Sequence, residues 1–300
     1  MKRTIWLASY PKSGNTWLRL LLANLDQEGP VDINDIPGHG GIASSRACFD
    51  NVMLFPSGLL THSECEQLRP TIHSAVHSMQ YLDEDETPGA KPRFVKTHDA
   101  YTFTRSGEPL LAGSSGADGV ILIVRDPRDV APSLANHNGT DIDAAIEYMA
   151  KAEISLCGSR RAQPNQLRQR LLGWSGFVQS WLDQADIPVH IVRYENLKED
   201  TFEVLRGVLE FAGVPFSIDA IQRAVRYADF DELQRQEASA GFREAPRRGA
   251  NSRFFRRGVS GAWKDELTPT QLATLERDHG PVMTSLGYPL IQAPQQEYTR

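Results

Sequence analysis

Cysteine is scarce in this chain and unpatterned. Cys48, Cys65 and Cys157 are the three present, with no CxxC pair among them. That excludes a disulfide framework and a zinc site of ordinary spacing, and it points to a reducing compartment. Long apolar runs are missing as well: the longest, around Trp17–Leu22 and Val120–Val124, fall far short of the about 20 apolar residues that span a bilayer. The opening Met1-Lys2-Arg3 leads into an apolar stretch broken by Pro11 and Lys12, without a small-residue cleavage site, so it reads as a first strand and not a secretory signal. Nor is there an excess of basic charge. Lys plus Arg number 32 against 38 Asp plus Glu, a net charge of −6, which gives no general reason to bind nucleic acid. What remains is ordinary: 300 residues, 40% hydrophobic and 23% charged. Those values exclude disorder, collagen and coiled coil, and the length sits at the top of the range for one core. Composition predicts a soluble cytoplasmic protein without membrane insertion.

Periodicity supplies the organisation. Thr4–Ala8, Arg93–Lys96, Val120–Val124 and Pro188–Arg193 are short apolar runs bounded by polar or Gly/Pro punctuation, as buried parallel strands are. Helical spacing is predicted over Asn15–Leu25, His62–Met79, Pro127–Asn136, Asp141–Leu156 and Gln166–Asp183. A further helix runs from an Asp200 N-cap to a Gly213 C-cap, and a last one from Thr268 to about Leu286. Strands alternating with helices predict an α/β fold, a parallel β-sheet flanked by helices on both faces. Two stretches fit this less well. Residues 30–60 are rich in Gly, Pro, Asp and Ser and read as a long surface excursion. Residues 235–262 have weak periodicity and carry Arg243, Arg247, Arg248, Arg253, Arg256 and Arg257. No linker divides the chain, so residues 1–300 are expected to form a single domain with a mobile lid at 235–262.

The loop after the first strand combines the parts of an anion site. Gly14 permits a tight turn, the helix that follows offers unpaired N–H groups and a positive dipole end, and Lys12 adds a full charge. Ser13 and Thr16 add hydroxyl donors. This is not a Walker A loop, whose lysine follows directly on the last glycine; here the lysine comes two residues before it. Tyr10-Pro11-Lys12-Ser13-Gly14-Asn15-Thr16-Trp17 resembles the 5′-phosphosulfate loop of the cytosolic-type sulfotransferases. That family uses 3′-phosphoadenosine 5′-phosphosulfate (PAPS) as co-substrate and releases 3′-phosphoadenosine 5′-phosphate (PAP).

Further motifs follow in the family's order. Val120–Val124 leads into Arg125, with Ser133 eight residues on, and this pair resembles the family's 3′-phosphate site. The chemistry suits it, a planar guanidinium fork plus a hydroxyl. Phe254-Phe255-Arg256-Arg257-Gly258 resembles the segment that closes over the same phosphate. The resemblance implies that Trp17, Tyr194 and Phe230 face the adenine, with Ala228 where a hydroxyl residue is usual. It implies that Lys12, Ser13, Gly14, Asn15, Thr16 and Trp17 serve the cofactor, and it implies a P-loop-like sulfotransferase fold. Phe94-Val95-Lys96-Thr97-His98 resembles the family's KTH segment. Sulfuryl transfer to an alcohol needs a group to take the hydroxyl proton, and a histidine at the carboxyl end of a parallel strand is suited to it. His98 is thus the expected base, Lys12 the main electrophilic stabiliser, and Lys96, on the same strand face as His98, its helper. His39, His62, His73 and His77 read as surface or packing residues. No metal and no covalent enzyme intermediate is required.

The chain departs from the family where the acceptor would bind. Asp99-Ala100-Tyr101 replaces an apolar residue and a proline, and the 30–60 excursion lengthens the gap between Lys12 and His98. Of the family's dimer motif Lys264 and Thr268 match, whereas Pro269 and Ala273 do not, which leaves the oligomeric state open. The expected partner is a small-molecule acceptor with a hydroxyl or amine: phenol, sterol, sugar, lipid and peptide antibiotic are all open. Phe49, Phe55, Tyr101 and Phe103 are candidates for its apolar wall or for simple packing. Two other classes stay open, a P-loop-type kinase needing ATP and magnesium, and a non-catalytic nucleotide-binding protein that does not require His98.

Overall fold

The computed structural model describes residues 3–37, 39–79, 91–159, 161–245 and 253–291. The strands are β1 (Thr4–Ser9), β2 (His39–Ile42), β3 (Arg93–Thr97), β4 (Gly119–Val124), β5 (Ser155–Leu156), β6 (Gln169–Arg170) and β7 (Val189–Arg193). The helices up to the middle of the chain are α1 (Asn15–Ala23), α2 (Arg46–Met53), α3 (His62–Met79), α4 (Pro127–Asn138), α5 (Ile142–Ala150) and α6 (Gly173–Asp183). After them come α7 (Tyr194–Glu199), α8 (Thr201–Ala212), α9 (Ile218–Tyr227), α10 (Phe230–Ala240), α11 (Trp263–Glu266) and α12 (Pro269–Ser285). Among the described residues five strands form one sheet in the order β2-β3-β1-β4-β7, every pairing parallel.

Alternation along the strands divides the core in two. Trp6, Ala8, Val95, Val120, Leu122 and Val124 face one side, where Trp174, Phe177 and Trp181 of α6 and Leu275 and Met283 of α12 meet them. Ile5, Leu7, Phe94, Ile121, Ile123 and Val192 face the other, against Leu18 and Leu21 of α1 and Leu205 and Leu209 of α8. Both faces are covered, which is why the strands read as unbroken apolar runs. The helix ends follow local chemistry: the Asp141, Asp200 and Thr268 side chains cap α5, α8 and α12, and Gly213 closes α8 at φ 67°. No helix among the described residues is long and apolar enough to cross a membrane.

The structure corrects several sequence expectations. The 30–60 excursion is not all loop: it supplies β2, an edge strand parallel to β3, and α2, whose Phe49 is buried with Cys65, Ile72 and Leu167. The helix expected over Asp141–Leu156 stops at Ala150, and the one expected from Gln166 starts only at Gly173. Left-handed backbone at Leu172 (φ 59°) and Gly173 (φ 68°) breaks the second helix, and β5 pairs antiparallel with β6 in the space between. Helix α10 runs to Ala240, into the stretch expected as lid. Arg247 and Arg248 lie outside the described residues.

The turn after β3 is fixed from behind. The buried Asp99 carboxylate accepts from Arg69 at 2.6 and 3.1 Å and from the Arg170 backbone N–H at 3.2 Å. Trp181 donates its indole N–H to the Asp99 carbonyl at 3.1 Å. A buried pair of this kind is strongly destabilised when one partner is removed.

Candidate active site

At the end of β1 the chain reverses tightly into α1. Lys12 has φ 69° and Gly14 φ 103°. A Cβ on Gly14 would lie 2.6 Å from the Tyr194 ring, so glycine answers both a backbone and a packing demand here. Asn15 turns its side chain back to β1 and donates to the Leu7 carbonyl at 2.9 Å and to Ser9 Oγ at 3.1 Å. What Asn15 offers to the cavity is therefore its backbone N–H, one of the donors a first helical turn leaves free. Ser13 Oγ is buried without a hydrogen-bond partner among the described residues. The Lys12 ammonium lies 3.7 Å from the centre of the Phe254 ring. Burial, then the charges of Lys96 and Arg125, lower it to about 7.

A second group of donors gathers beyond β4. The Arg125 guanidinium stacks 4.4 Å over the Tyr194 ring and donates to the Lys12 carbonyl at 3.3 Å. Ser133, on α4, opens onto the same cavity. Arg256 bonds Glu266 at 2.7 and 2.9 Å, and Arg257 bonds it at 2.8 Å. This segment is tied to α4 by Asp129, whose carboxylate accepts from the N–H groups of Gly261 (2.7 Å) and Trp263 (2.9 Å). Gly258, at φ 60°, has the Phe230 ring lying directly against its backbone where a Cβ would stand. The aromatic residues Trp17, Tyr194 and Phe230 wall one end of the cavity. Trp17 meets Tyr194 edge-on at 5.9 Å and donates its indole N–H to the Ala228 carbonyl at 2.9 Å.

His98 and Lys96, from β3 and the turn after it, also line the cavity. His98 Nδ1 lies 2.6 Å from the Ser9 carbonyl oxygen. A carbonyl can only accept, so Nδ1 carries the proton and Nε2 keeps its lone pair. Burial, then the Lys96 charge, push the imidazole down to about 3, so the ring is neutral at ordinary pH. Burial also lowers the Lys96 ammonium, against the opposing pull of Glu244.

All these groups line one cavity of about 590 Å³: Lys12, Gly14, Asn15, Thr16, Trp17, Lys96, His98, Arg125, Ser133, Tyr194, Phe230, Arg256, Arg257 and Gly258. Ser13 stays just behind the lining. Three further residues there were not foreseen. Lys198 stands 5.0 Å from the Trp17 ring and 5.6 Å from the Phe230 ring; its signal in the sequence is its place one helical turn after Tyr194. His137, one turn after Ser133, packs edge-on to Phe254, and burial followed by the charges of Lys12 and Lys96 pushes it down to about 4. Glu244 reaches in from the turn after α10. Its carboxylate accepts from Thr16 Oγ1 (3.0 Å) and Arg19 (2.9 Å) and lies 3.5 Å from the Lys96 ammonium. Burial pushes this carboxyl up, but Lys96 and Arg19 outweigh it and hold it at about 2.

The four aromatic residues named as candidates for an acceptor wall or for packing do not line the cavity. Phe49 and Tyr101 are buried elsewhere, the Tyr101 hydroxyl bonded to Asp186, while Phe55 and Phe103 are 40% and 53% exposed. The apolar lining of the cavity includes instead Ile42, Leu134, Leu156 and Phe254, with Tyr148 and His137 as polar members.

A family model described as a sulfotransferase domain matches residues 2–287. Human sulfotransferase 1E1 is 24% identical over 275 residues, which cover 87% of this chain and 77% of that protein. Cytosolic sulfotransferase 17 of Arabidopsis thaliana is 23% identical over 281 residues, covering 90% and 71%. Among solved structures, mouse sulfotransferase SULT7A1 complexed with PAP aligns with a TM-score of 0.55 and 20% identity, over 94% of this chain and 85% of that one. Retinol dehydratase in a complex with retinol and PAP aligns at 0.56 and 17%, over 98% and 84%.

Proposed function

Because the chain belongs to the sulfotransferase domain family, we propose that this enzyme moves the sulfuryl group of PAPS to a hydroxyl or amine of a small-molecule acceptor. One observation carries the reading: Lys12, Lys96 and His98 meet in the same cavity as Arg125, Ser133, Arg256 and Arg257. The residues present fit the nucleotide. Ser13 Oγ is buried and unpartnered among the described residues, and glycine backbone lies against Tyr194 and Phe230. Cations gather in the lining: Arg19, Lys96, Arg256 and Arg257 pair with Glu244 and Glu266, whereas Lys12 and Arg125 form no ion pair among the described residues. PAPS, when bound, supplies the sulfuryl group and departs as PAP.

This chain's residues divide the work by position. Arg125, Ser133, Arg256, Arg257 and the Gly258 backbone would hold the 3′-phosphate, with Trp17, Tyr194 and Phe230 around the adenine. Lys12 and the N–H groups that open α1 would take the 5′ end and stabilise charge on the leaving oxygen, the electrostatic contribution on which transfers of this type chiefly depend. Lys96 would face the sulfonate. His98 would accept the acceptor's proton at Nε2, a contribution of ~10²–10⁴-fold. Burial depresses the imidazole most and the Lys96 charge next; anionic charge beside Lys96 offsets the second of these, which raises the basicity of His98 when the nucleotide is in place. We place the enzyme in a reducing cytoplasm, its three cysteines being free, and read residues 1–300 as one domain whose lid is the part of 235–262 that follows α10.

Thermal melting in the presence of PAP, of ADP with magnesium, and of 5′-AMP tests this reading. PAP at a hundredfold excess over its Kd is expected to add about 2.7 kcal/mol of stability, with small effects from the other two. No PAP shift, or a larger one from ADP with magnesium, would overturn it in favour of a kinase.

A further inference from the structure

The Glu244 carboxylate rests where an anion is expected. Its partners are Thr16 Oγ1, the Arg19 guanidinium and the Lys96 ammonium, and all three belong to the cavity lining. Thr16 and Arg19 stand on α1 and Lys96 on β3, both parts of the packed sheet layer. Glu244 itself stands outside that layer, in the turn that follows α10. The arrangement is an anion seat built by the scaffold and filled by a side chain from the lid. Glu266, on α11, also holds two cations of the lining, Arg256 and Arg257, but there the cations and not the carboxylate stand in the lid.

We propose that Glu244 sets the affinity for the donor nucleotide by competing with its 5′ anionic end for Thr16, Arg19 and Lys96. This rests on the PAPS reading above and adds to it the residue that opposes binding. A carboxylate and a phosphate cannot share these donors, because both would have to occupy the same hydrogen-bonding positions and like charges a few ångströms apart repel. Nucleotide binding therefore requires Glu244 to leave. The observed Kd is then the intrinsic one divided by the fraction of molecules whose seat is open. A seat closed nine-tenths of the time weakens binding about tenfold. The penalty falls only on ligands that carry a 5′-phosphate or phosphosulfate. A nucleotide whose sole phosphate is at the 3′ position leaves Glu244 where it is. The same competition favours release of PAP at the end of a turnover.

The test is the affinity of the wild type and of Glu244→Gln for PAP and for adenosine 3′-monophosphate, by calorimetry at fixed salt. The variant is expected to bind PAP about tenfold more tightly, with adenosine 3′-monophosphate unchanged to within twofold. Equal PAP affinities would overturn the proposal, as would equal tightening of both ligands, which marks a general charge effect. Should the glutamine variant fail to fold, Glu244→Asp, with a carboxylate too short to reach all three partners, is expected to tighten PAP alone by a smaller factor. A wild type and variant that both ignore PAP but fold normally would overturn the PAPS reading itself, a result distinct from equal binding.

Discussion

Lys12 is asked to carry a positive charge in a place that resists it. Burial and the neighbouring Lys96 and Arg125 hold its ammonium near 7, so at neutral pH about half the molecules lack that charge. An anion binds the charged form, so binding draws in a proton. PAP affinity is therefore expected to be level just below pH 7 and to fall about tenfold per unit above it, once Lys12 has lost its proton in the free protein. Lys12→Arg, which stays charged throughout, should remove that slope between pH 7 and 9. A wild-type affinity that is flat across this range would show that Lys12 does not meet the phosphates. Single residues were legible in the sequence to very different degrees. His98 stands out because it ends a strand of clear pattern. Glu244 was illegible: one acid among the arginines of a weakly periodic stretch reads as a solvated loop, and only the fold brings it against Thr16, Arg19 and Lys96. His137 was hidden in another way, since its one-turn distance from Ser133 matters only once Ser133 is known to face a cavity.

At the scale of elements, two glycines decide how closely aromatic rings approach the backbone. Gly258 lies at φ 60° with the Phe230 ring against it. Gly258→Ala is thus strained twice, by its backbone and by the displaced ring, a cost of about 1–3 kcal/mol. PAP is expected to bind about tenfold more weakly, and the melting temperature of the unliganded protein to fall by about 2–4 °C for each kcal/mol of that strain, since Phe230 packs against the core. Unchanged PAP affinity would remove the lid segment from the binding site. The elements that periodicity located well are those packed on the sheet, such as β1, β4, α3 and α8, where burial imposes the pattern. The elements it missed lack that cause. Strand β2 is His39-Gly40-Gly41-Ile42, with one large apolar residue and no alternation to read. The segments flanking β5 and β6 keep helical spacing in the sequence, but Leu172 and Gly173 adopt left-handed backbone, and Asp99 holds the Arg170 backbone on the turn behind β3.

The whole molecule gathers its chemistry on one edge. Strands β1, β3, β4 and β7 run parallel, and their carboxyl ends deliver Lys12, His98, Arg125 and Tyr194 in turn to the same cavity. From β1 the chain crosses toward β2 and β3, and from β4 it crosses to β7 on the other side. The crevice between two such diverging connections is where open α/β sheets bind ligands. This placement could be read from strands and their following loops alone. The apolar members of the lining could not, because Ile42, Leu134, Leu156 and Phe254 come from β2, α4, β5 and the segment before α11, which share no motif. The central claim is that sulfuryl transfer passes through this edge with His98 as base. The most direct measurement is transfer of labelled sulfuryl from PAPS to a panel of phenols, sterols, sugars and amines, by the wild type and by His98→Ala, beside the PAP affinity of each. The account predicts acceptor-dependent transfer by the wild type, a loss of at least ~10²-fold in the variant, and PAP affinities within about twofold of each other. Full transfer by His98→Ala, or loss of PAP binding in step with transfer, would contradict it.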